Sequence, residues 1–193
     1  MDAPNTAHKI AAAARRLLDK EGPEAVTMRR VAEAVGITAM AIYRHYPDRE
    51  ALLNALADEG FQELAESLKG RRYSGAMETR LARMADIYLD HALENPKLFE
   101  LMFLTPREGA RQYPRDFKAR RSPTATLMAD LIAAGMAEGE FRKDDPWEIT
   151  FEMGALSHGL IMLYLGGRLA ATPTQFRALY RRSFRRYTHG IRA

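Results

Sequence analysis

Residues 31–52 read VAEAVGITAMAIYRHYPDREAL, and the organisation of the chain follows from them. Two short apolar helical patterns are separated by Val35-Gly36-Ile37, and the second runs into Tyr43-Arg44-His45-Tyr46. Helices shorter than ~12–15 residues are marginal alone in water, so these two need a shared core. A steep crossing around a tight turn requires a small residue where the first helix faces the second, and Ala32 stands there. The turn requires a residue tolerant of left-handed dihedrals, which Gly36 supplies. Val31, Val35, Ile37 and Ile42 are spaced to point back into a small core. A preceding stripe of Ile10, Ala13, Ala14, Leu17 and Leu18, together with Leu52 beyond, can cover them. Turn chemistry and apolar pattern therefore agree on a helix-turn-helix unit.

Helical periodicity continues outward from this unit, and strand-like alternation is missing. A helix over residues 6–21 is stopped by Gly22-Pro23. Thr27 caps the first short helix, Thr38 the second, and Asp48 a longer one ending near Gly70. Further helices are predicted over 75–94 and 96–103. Residues 105–122, rich in Pro, Gly and Arg, form the longest predicted loop, with helical character in its middle. Ser122-Pro123, Asp145-Pro146 and Thr172-Pro173 each read as a cap followed by a first-turn proline, opening helices that end near Gly139, Gly166 and Gly190. The expectation is an all-α chain of about nine helices: a three-helix helix-turn-helix domain over 1–50 and a larger helical bundle over 51–193. The fourth helix belongs to both, since no flexible linker separates them.

Composition narrows the function classes. Apolar residues make up 47% and charged residues 28% of 193, ordinary globular usage. The absence of cysteine removes disulfides, zinc-thiolate sites and thiol nucleophiles, and suits a reducing cytoplasm. The first twenty residues lack a signal-peptide pattern, and the most apolar stretch, 149–165, is interrupted by Glu152, Ser157 and His158, so no membrane span is expected. No Gly-rich phosphate loop, nucleophile elbow or metal motif occurs, and His91 and His158 lack an acid at ligand spacing on their own helices. A non-enzymatic, cofactor-free and metal-free cytoplasmic protein is expected. The net charge of +4 is concentrated at the wrong end to identify a DNA-binding unit: Arg177, Arg181, Arg182, Arg185, Arg186 and Arg192 lie together without an acid.

The second helix of such a unit enters a DNA major groove. Thr38, Ala39, Met40 and Ala41 form its leading end, where small residues allow close approach and apolar ones meet a thymine methyl. Thr27, Tyr43, His45 and Arg49 are candidates to hold phosphates and set register. A plain helical hairpin is the alternative, with Tyr43 a half-buried core aromatic and His45 a capping or packing residue.

Residues 27–53, TMRRVAEAVGITAMAIYRHYPDREALL, resemble the DNA-binding domain of TetR-family transcriptional repressors, most tellingly in IYRHYPDREALL. The resemblance implies phosphate contacts from Thr27, Tyr43 and Arg49, a base contact from Arg29, and groove-facing positions at Thr38, Ala39 and Met40. Many members carry glycine or proline where Met40 stands, and threonine or serine at Ala41. The reading head here is apolar, which shifts the expected burden of specificity to Arg29 and to DNA shape.

Beyond the unit the resemblance is architectural, apart from PWEITFEMGALSHGLIMLYL, which resembles a subgroup with a His-Gly pair in the penultimate helix. That helix is apolar nearly all round: Trp147, Phe151, Ala155, His158, Met162 and Leu165 form one face, and Ile149, Met153, Leu156, Leu160 and Leu163 cover much of the rest. Such a helix is buried on more than one side, so a C2 homodimer paired through the last two long helices is expected. In the last helix Phe176, Tyr180, Phe184 and Tyr187 form a stripe beside the arginines. It either packs within the chain, exposing the charges, or faces a second subunit; a second nucleic-acid site is a third possibility. Met84, Tyr88, His91, Phe99, Met102, Phe103, Met128, Ile132, Phe151, His158 and Met162 are either plain core or the lining of a ligand pocket, and the resemblance implies the pocket. The expected function is a ligand-responsive homodimeric transcriptional regulator. It binds a palindromic operator on double-stranded DNA and is released by a small apolar or amphipathic effector; repression is implied by the resemblance alone. The alternative is a helical interaction protein that has lost sequence-specific DNA binding.

Overall fold

The computed structural model describes residues 6–69 and 73–193. Among these are ten α-helices: α1 Thr6–Glu21, α2 Met28–Val35, α3 Ala39–Tyr43, α4 Arg49–Lys69, α5 Met77–Glu94, α6 Pro96–Phe103, α7 Arg115–Lys118, α8 Pro123–Ala137, α9 Pro146–Leu165 and α10 Pro173–Gly190. No strand forms among the described residues; Phe141 and Arg192 make one isolated antiparallel bridge. The all-α expectation holds, with one helix more than the nine predicted because α7 folds inside the long loop. The predicted end of α4 near Gly70 lies outside the described residues.

The helix starts follow from side-chain chemistry. The hydroxyls of Thr27 and Thr38 accept from the amides of Arg30 and Ala41, each at 3.3 Å. The Asp48 carboxylate accepts from Ala51 and that of Asp145 from Trp147, at 2.7 and 2.8 Å. Thr172 and Gln175 form a reciprocal capping box. Ser122 departs from expectation: its hydroxyl makes no cap hydrogen bond and instead lies 3.4 Å from the Thr124 hydroxyl. Pro123 at the first turn starts α8 without it.

The chain divides into two compact units. The first contains the described residues up to Glu63, with Glu94–Ala110; the second contains Leu64–Leu93, with Arg111–Ala193. The boundary expected near residue 50 would have fallen in the first turn of α4. Instead most of α4 stays with the first unit, and α6 returns to it to pack on α1. Arg15 ties three elements of that unit together, donating to Asp19, to Glu63 and to the side-chain oxygen of Asn95.

In the second unit α8 and α10 both pack on α9. Phe176, Tyr180 and Phe184 of the α10 aromatic stripe are buried inside this unit, and Tyr187 is half-buried. The arginines beside it reach α5: Arg177 pairs with Asp90, Arg181 with Asp86 at 2.8 Å, and Arg192 with Glu78. Sequence proximity hid these partners, because the acids lie on a helix 87 to 114 residues earlier.

The segment after Ala110 is anchored on Asp116, a carboxylate only 4% exposed. It accepts from Arg115 at 3.0 Å, from Arg121 at 3.2 Å and from the Gln112 amide at 2.8 Å. The Arg115 hydrogen bonds, seconded by the Gln112 amide, lower its carboxyl from 3.8 to about 2. A carboxyl depressed in the folded state adds stability above its unfolded value near 3.8, and loses it as pH falls through about 2. Asp116→Asn should therefore lower the urea midpoint at pH 7, and the gap between variant and parent should shrink as the acid limb approaches pH 2. An unchanged gap across that range would mean that the charge of Asp116 is not what holds the segment.

Candidate nucleic-acid interface

The Thr27 cap, the α2 helix and a left-handed residue together fix the direction of α3. Gly36 adopts φ 75°, ψ 35°, and its amide and that of Ile37 both return to the Ala32 carbonyl, at 2.9 and 3.0 Å. A Cβ there would meet nothing within 4 Å, so glycine is required by the dihedral and not by space. Val31, Ala32 and Ile42 are buried as expected, while Val35 and Ile37 are half-buried at the rim. Ile42 is the single buried residue of α3. His45 and Tyr46 both donate their amides to its carbonyl, which ends the helix.

With Ile42 turned inward, the rest of α3 points to solvent. Met40 is 70% exposed and Tyr43 47%. Thr38, Arg44 and His45 are exposed, Ala39 and Ala41 half-exposed, and on α2 Arg29 is exposed. The half-buried Thr27 uses its oxygen as a cap acceptor, a role that does not consume its O–H donor. Thr38 is arranged in the same way. Two hydroxyls, a phenol, an imidazole and two guanidinium groups thus accompany a short apolar tip. That mixture suits phosphate oxygens at the edges and base edges at the centre.

Arg49 is half-buried against the turn that precedes α2. Its guanidinium donates to the carbonyls of Val26 and Pro23, at 2.8 and 2.7 Å, and lies 3.6 Å from Glu24. It binds the turn between α1 and α2 to the start of α4, and so positions Thr27. Arg44 is the residue the sequence reading passed over: an exposed cation beside Tyr43, within the same Tyr-Arg-His-Tyr run that drew attention to its neighbours.

The residues expected to line a ligand pocket are not brought together in one unit. Phe99, Met102 and Phe103 belong to the first, where Phe103 meets Phe61 edge-on at 5.1 Å and Phe99 at 4.8 Å. Met84, Tyr88, His91, Met128, Ile132, Phe151, His158 and Met162 belong to the second. Within it Met84, His91 and Ile132 are buried, whereas Phe151 and Met162 lie on the exposed side of α9 with Leu163 and Leu165. Phe151 stacks on Tyr113 at 4.3 Å. Tyr88 and His158 are hydrogen-bonded to each other. No group of three or more metal-ligating side chains occurs among the described residues, and no described helix is long and apolar enough to cross a membrane.

Comparison with known proteins agrees with this geometry. Residues 10–56 match the family of bacterial regulatory proteins of the TetR type, and residues 81–187, more than half the chain, match the tetracyclin repressor-like C-terminal domain. An HTH-type transcriptional regulator of Mycobacterium tuberculosis is 26% identical over 140 residues, covering 71% of this chain and 60% of that protein. The HTH-type transcriptional repressor AcnR of Corynebacterium efficiens is 27% identical over 151 residues, 75% of this chain and 73% of AcnR. Among solved structures, a protein of unknown function from Rhodococcus sp. RHA1 superposes with a TM-score of 0.82 at 25% identity, covering 99% of this chain and 97% of that one. A regulatory protein of the TetR family from Rhodococcus RHA1 superposes at 0.69 with 21% identity, over 99% of both chains. With both halves matched in order and the whole fold shared, the chain belongs to the TetR family of bacterial regulatory proteins.

Proposed function

We propose that the chain is a transcriptional repressor that binds a palindromic DNA operator as a homodimer and is released by a small apolar or amphipathic effector. The observation that carries this reading is the tip of α3: a five-residue helix held by Ile42 alone, whose Met40 and Tyr43 project into solvent beside Arg29, Thr38 and His45. Met40 and Ala39 meet base edges through apolar contact. Arg29 supplies hydrogen-bonding base readout; Thr27, Tyr43, Arg44 and His45 hold phosphates. Arg49 acts indirectly, by fixing the turn that carries Thr27.

The outer side of α9 supports the dimer reading. Phe151, Met162, Leu163 and Leu165 are all at least 38% exposed, more apolar surface than one helix of a monomer ordinarily leaves in water. Pairing α9 and the solvent side of α10 with a second copy covers it and presents two α3 tips, about 34 Å apart if they match one turn of DNA. The effector acts in the second unit, and α4, which begins in the first unit and ends in the second, transmits the change. A coupling of ~1–3 kcal/mol suffices to change DNA affinity ~5–150-fold.

Direct binding measurements on a selected operator and its single-base variants test the reading. Arg29→Ala should remove about 1–3 kcal/mol of discrimination at one base position in each half-site. Tyr43→Phe should instead weaken binding evenly across sequences, as loss of a phosphate contact does. Variants that bind every site as the parent does would exclude this surface from DNA recognition and favour a helical interaction protein.

A further inference from the structure

Met40 is 70% exposed, more than any other large apolar side chain among the described residues. The residues before and after it, Ala39 and Ala41, are half-exposed and equally without hydrogen-bonding side chains. Ile42 alone secures α3 to the core, so the fold makes no use of the Met40 side chain. The charge nearby suits a polyanion: residues 37–47 include no acid, and Arg44 and, on α2, Arg29 are exposed cations. An apolar side chain presented in such surroundings raises the question of what it meets on DNA.

In the major groove nearly every base edge offers a hydrogen-bond donor or acceptor, and the exception is the C5 position of a pyrimidine. Thymine carries a methyl group there, and cytosine a hydrogen. Against an amino group or a carbonyl oxygen, the Met40 side chain would displace water and return no hydrogen bond, which is costly. Against a methyl group it takes apolar surface of both partners out of water. Its unbranched thioether adapts to the position of that methyl, whereas the single Cβ of Ala39 or Ala41 has no such reach. Thymine is not alone in offering the group. A cytosine methylated at C5 presents the same methyl in the same place and differs from thymine at C4, where Met40 has no polar atom to tell an amino group from a carbonyl.

Resting on the reading that α3 enters the groove of an operator, we infer that Met40 recognises the C5 methyl group of one pyrimidine in each half-site, so that methylation of a cytosine at that position strengthens binding. One methyl group is worth about fourfold in affinity, and a symmetric pair of them about fifteenfold. Titration of the full chain with a selected operator tests this, with deoxyuridine replacing thymidine at one symmetric pair of positions at a time. Each replacement deletes a methyl group and keeps every hydrogen-bonding group of the base. One pair should lose about fifteenfold. The loss at that pair should shrink to within about twofold in Met40→Ala, a variant that should fold as the parent does because the side chain lies in water. With cytosine at the same pair, C5 methylation should tighten binding by about fifteenfold. Neither factor should change with salt, because a methyl contact releases no counterions. Tolerance of deoxyuridine at every position, a loss that persists in Met40→Ala, or equal binding of methylated and unmethylated cytosine overturns the assignment and leaves the DNA reading standing. The DNA reading fails separately, if selection enriches no operator, and the assignment falls with it.

Discussion

Ile42→Ala is expected to destabilise the α2–α3 unit by about 2–5 kcal/mol, the range for truncating a fully buried branched aliphatic side chain. Ile42 is 0% exposed and is the single buried residue of α3, so no neighbour on that helix shares its load. A five-residue helix has no stability of its own to fall back on. The lost carbons would also leave a void in a unit where Val31 and Leu52 are likewise fully buried. Since domains are stable by only ~5–15 kcal/mol, the variant should show a lower urea midpoint and fast amide exchange at His45 and Tyr46, whose amides depend on the Ile42 carbonyl. DNA affinity should fall with it, although Ile42 touches no DNA. A midpoint within about 1 kcal/mol of the parent would mean that something other than this core holds α3.

Gly135→Ala should also destabilise, against the usual preference of helices for alanine. Gly135 lies within α8, where the substitution gains ~1 kcal/mol of propensity. The added Cβ, however, would lie 2.5 and 2.7 Å from two ring carbons of Phe141 and 3.0 Å from the Met77 side chain. Phe141 is buried, its amide donates to the Gly135 carbonyl at 3.2 Å, and it bridges to Arg192, so the ring has nowhere to retreat. Overpacking of this kind costs ~1–3 kcal/mol, so after the gain in propensity a net loss of up to about 2 kcal/mol is expected in chemical denaturation. Gly60→Ala is the informative contrast. Its Cβ would meet the sulfur of Met102 at 2.7 Å and a methyl of Leu98 at 2.9 Å, both far ends of flexible side chains. That variant should lie near the parent, and equal losses at the two sites would show that both pockets are equally rigid.

What could be read from the sequence was what is encoded locally. Thr27, Thr38, Asp145 and Thr172 announce helix starts because capping depends on residues two or three positions away. Gly36 and Ile42 locate the helix-turn-helix for the same reason. Features carried by long-range pairing were not legible. Asp116 stands among arginines in a loop-like run, and nothing local shows that it would be buried between them. Tyr88 and His158 were both singled out, but seventy residues apart, with no periodicity to join them. The bonds from the Arg49 guanidinium back to carbonyls of an earlier turn, more than twenty residues away, had no local signal either. The aromatic stripe of α10 was visible, but the choice between its own chain and another depended on which helices close around it.

The central claim is that the α2–α3 unit reads DNA sequence as one half of a symmetric pair. Selection of bound molecules from a random double-stranded library, at near-physiological salt because affinity depends steeply on it, tests this most directly. The account predicts enrichment of a palindrome whose half-sites are separated by about one helical turn or a multiple of it. Enrichment of no sequence, with binding that fades as salt rises, would contradict it and leave only charge-driven association.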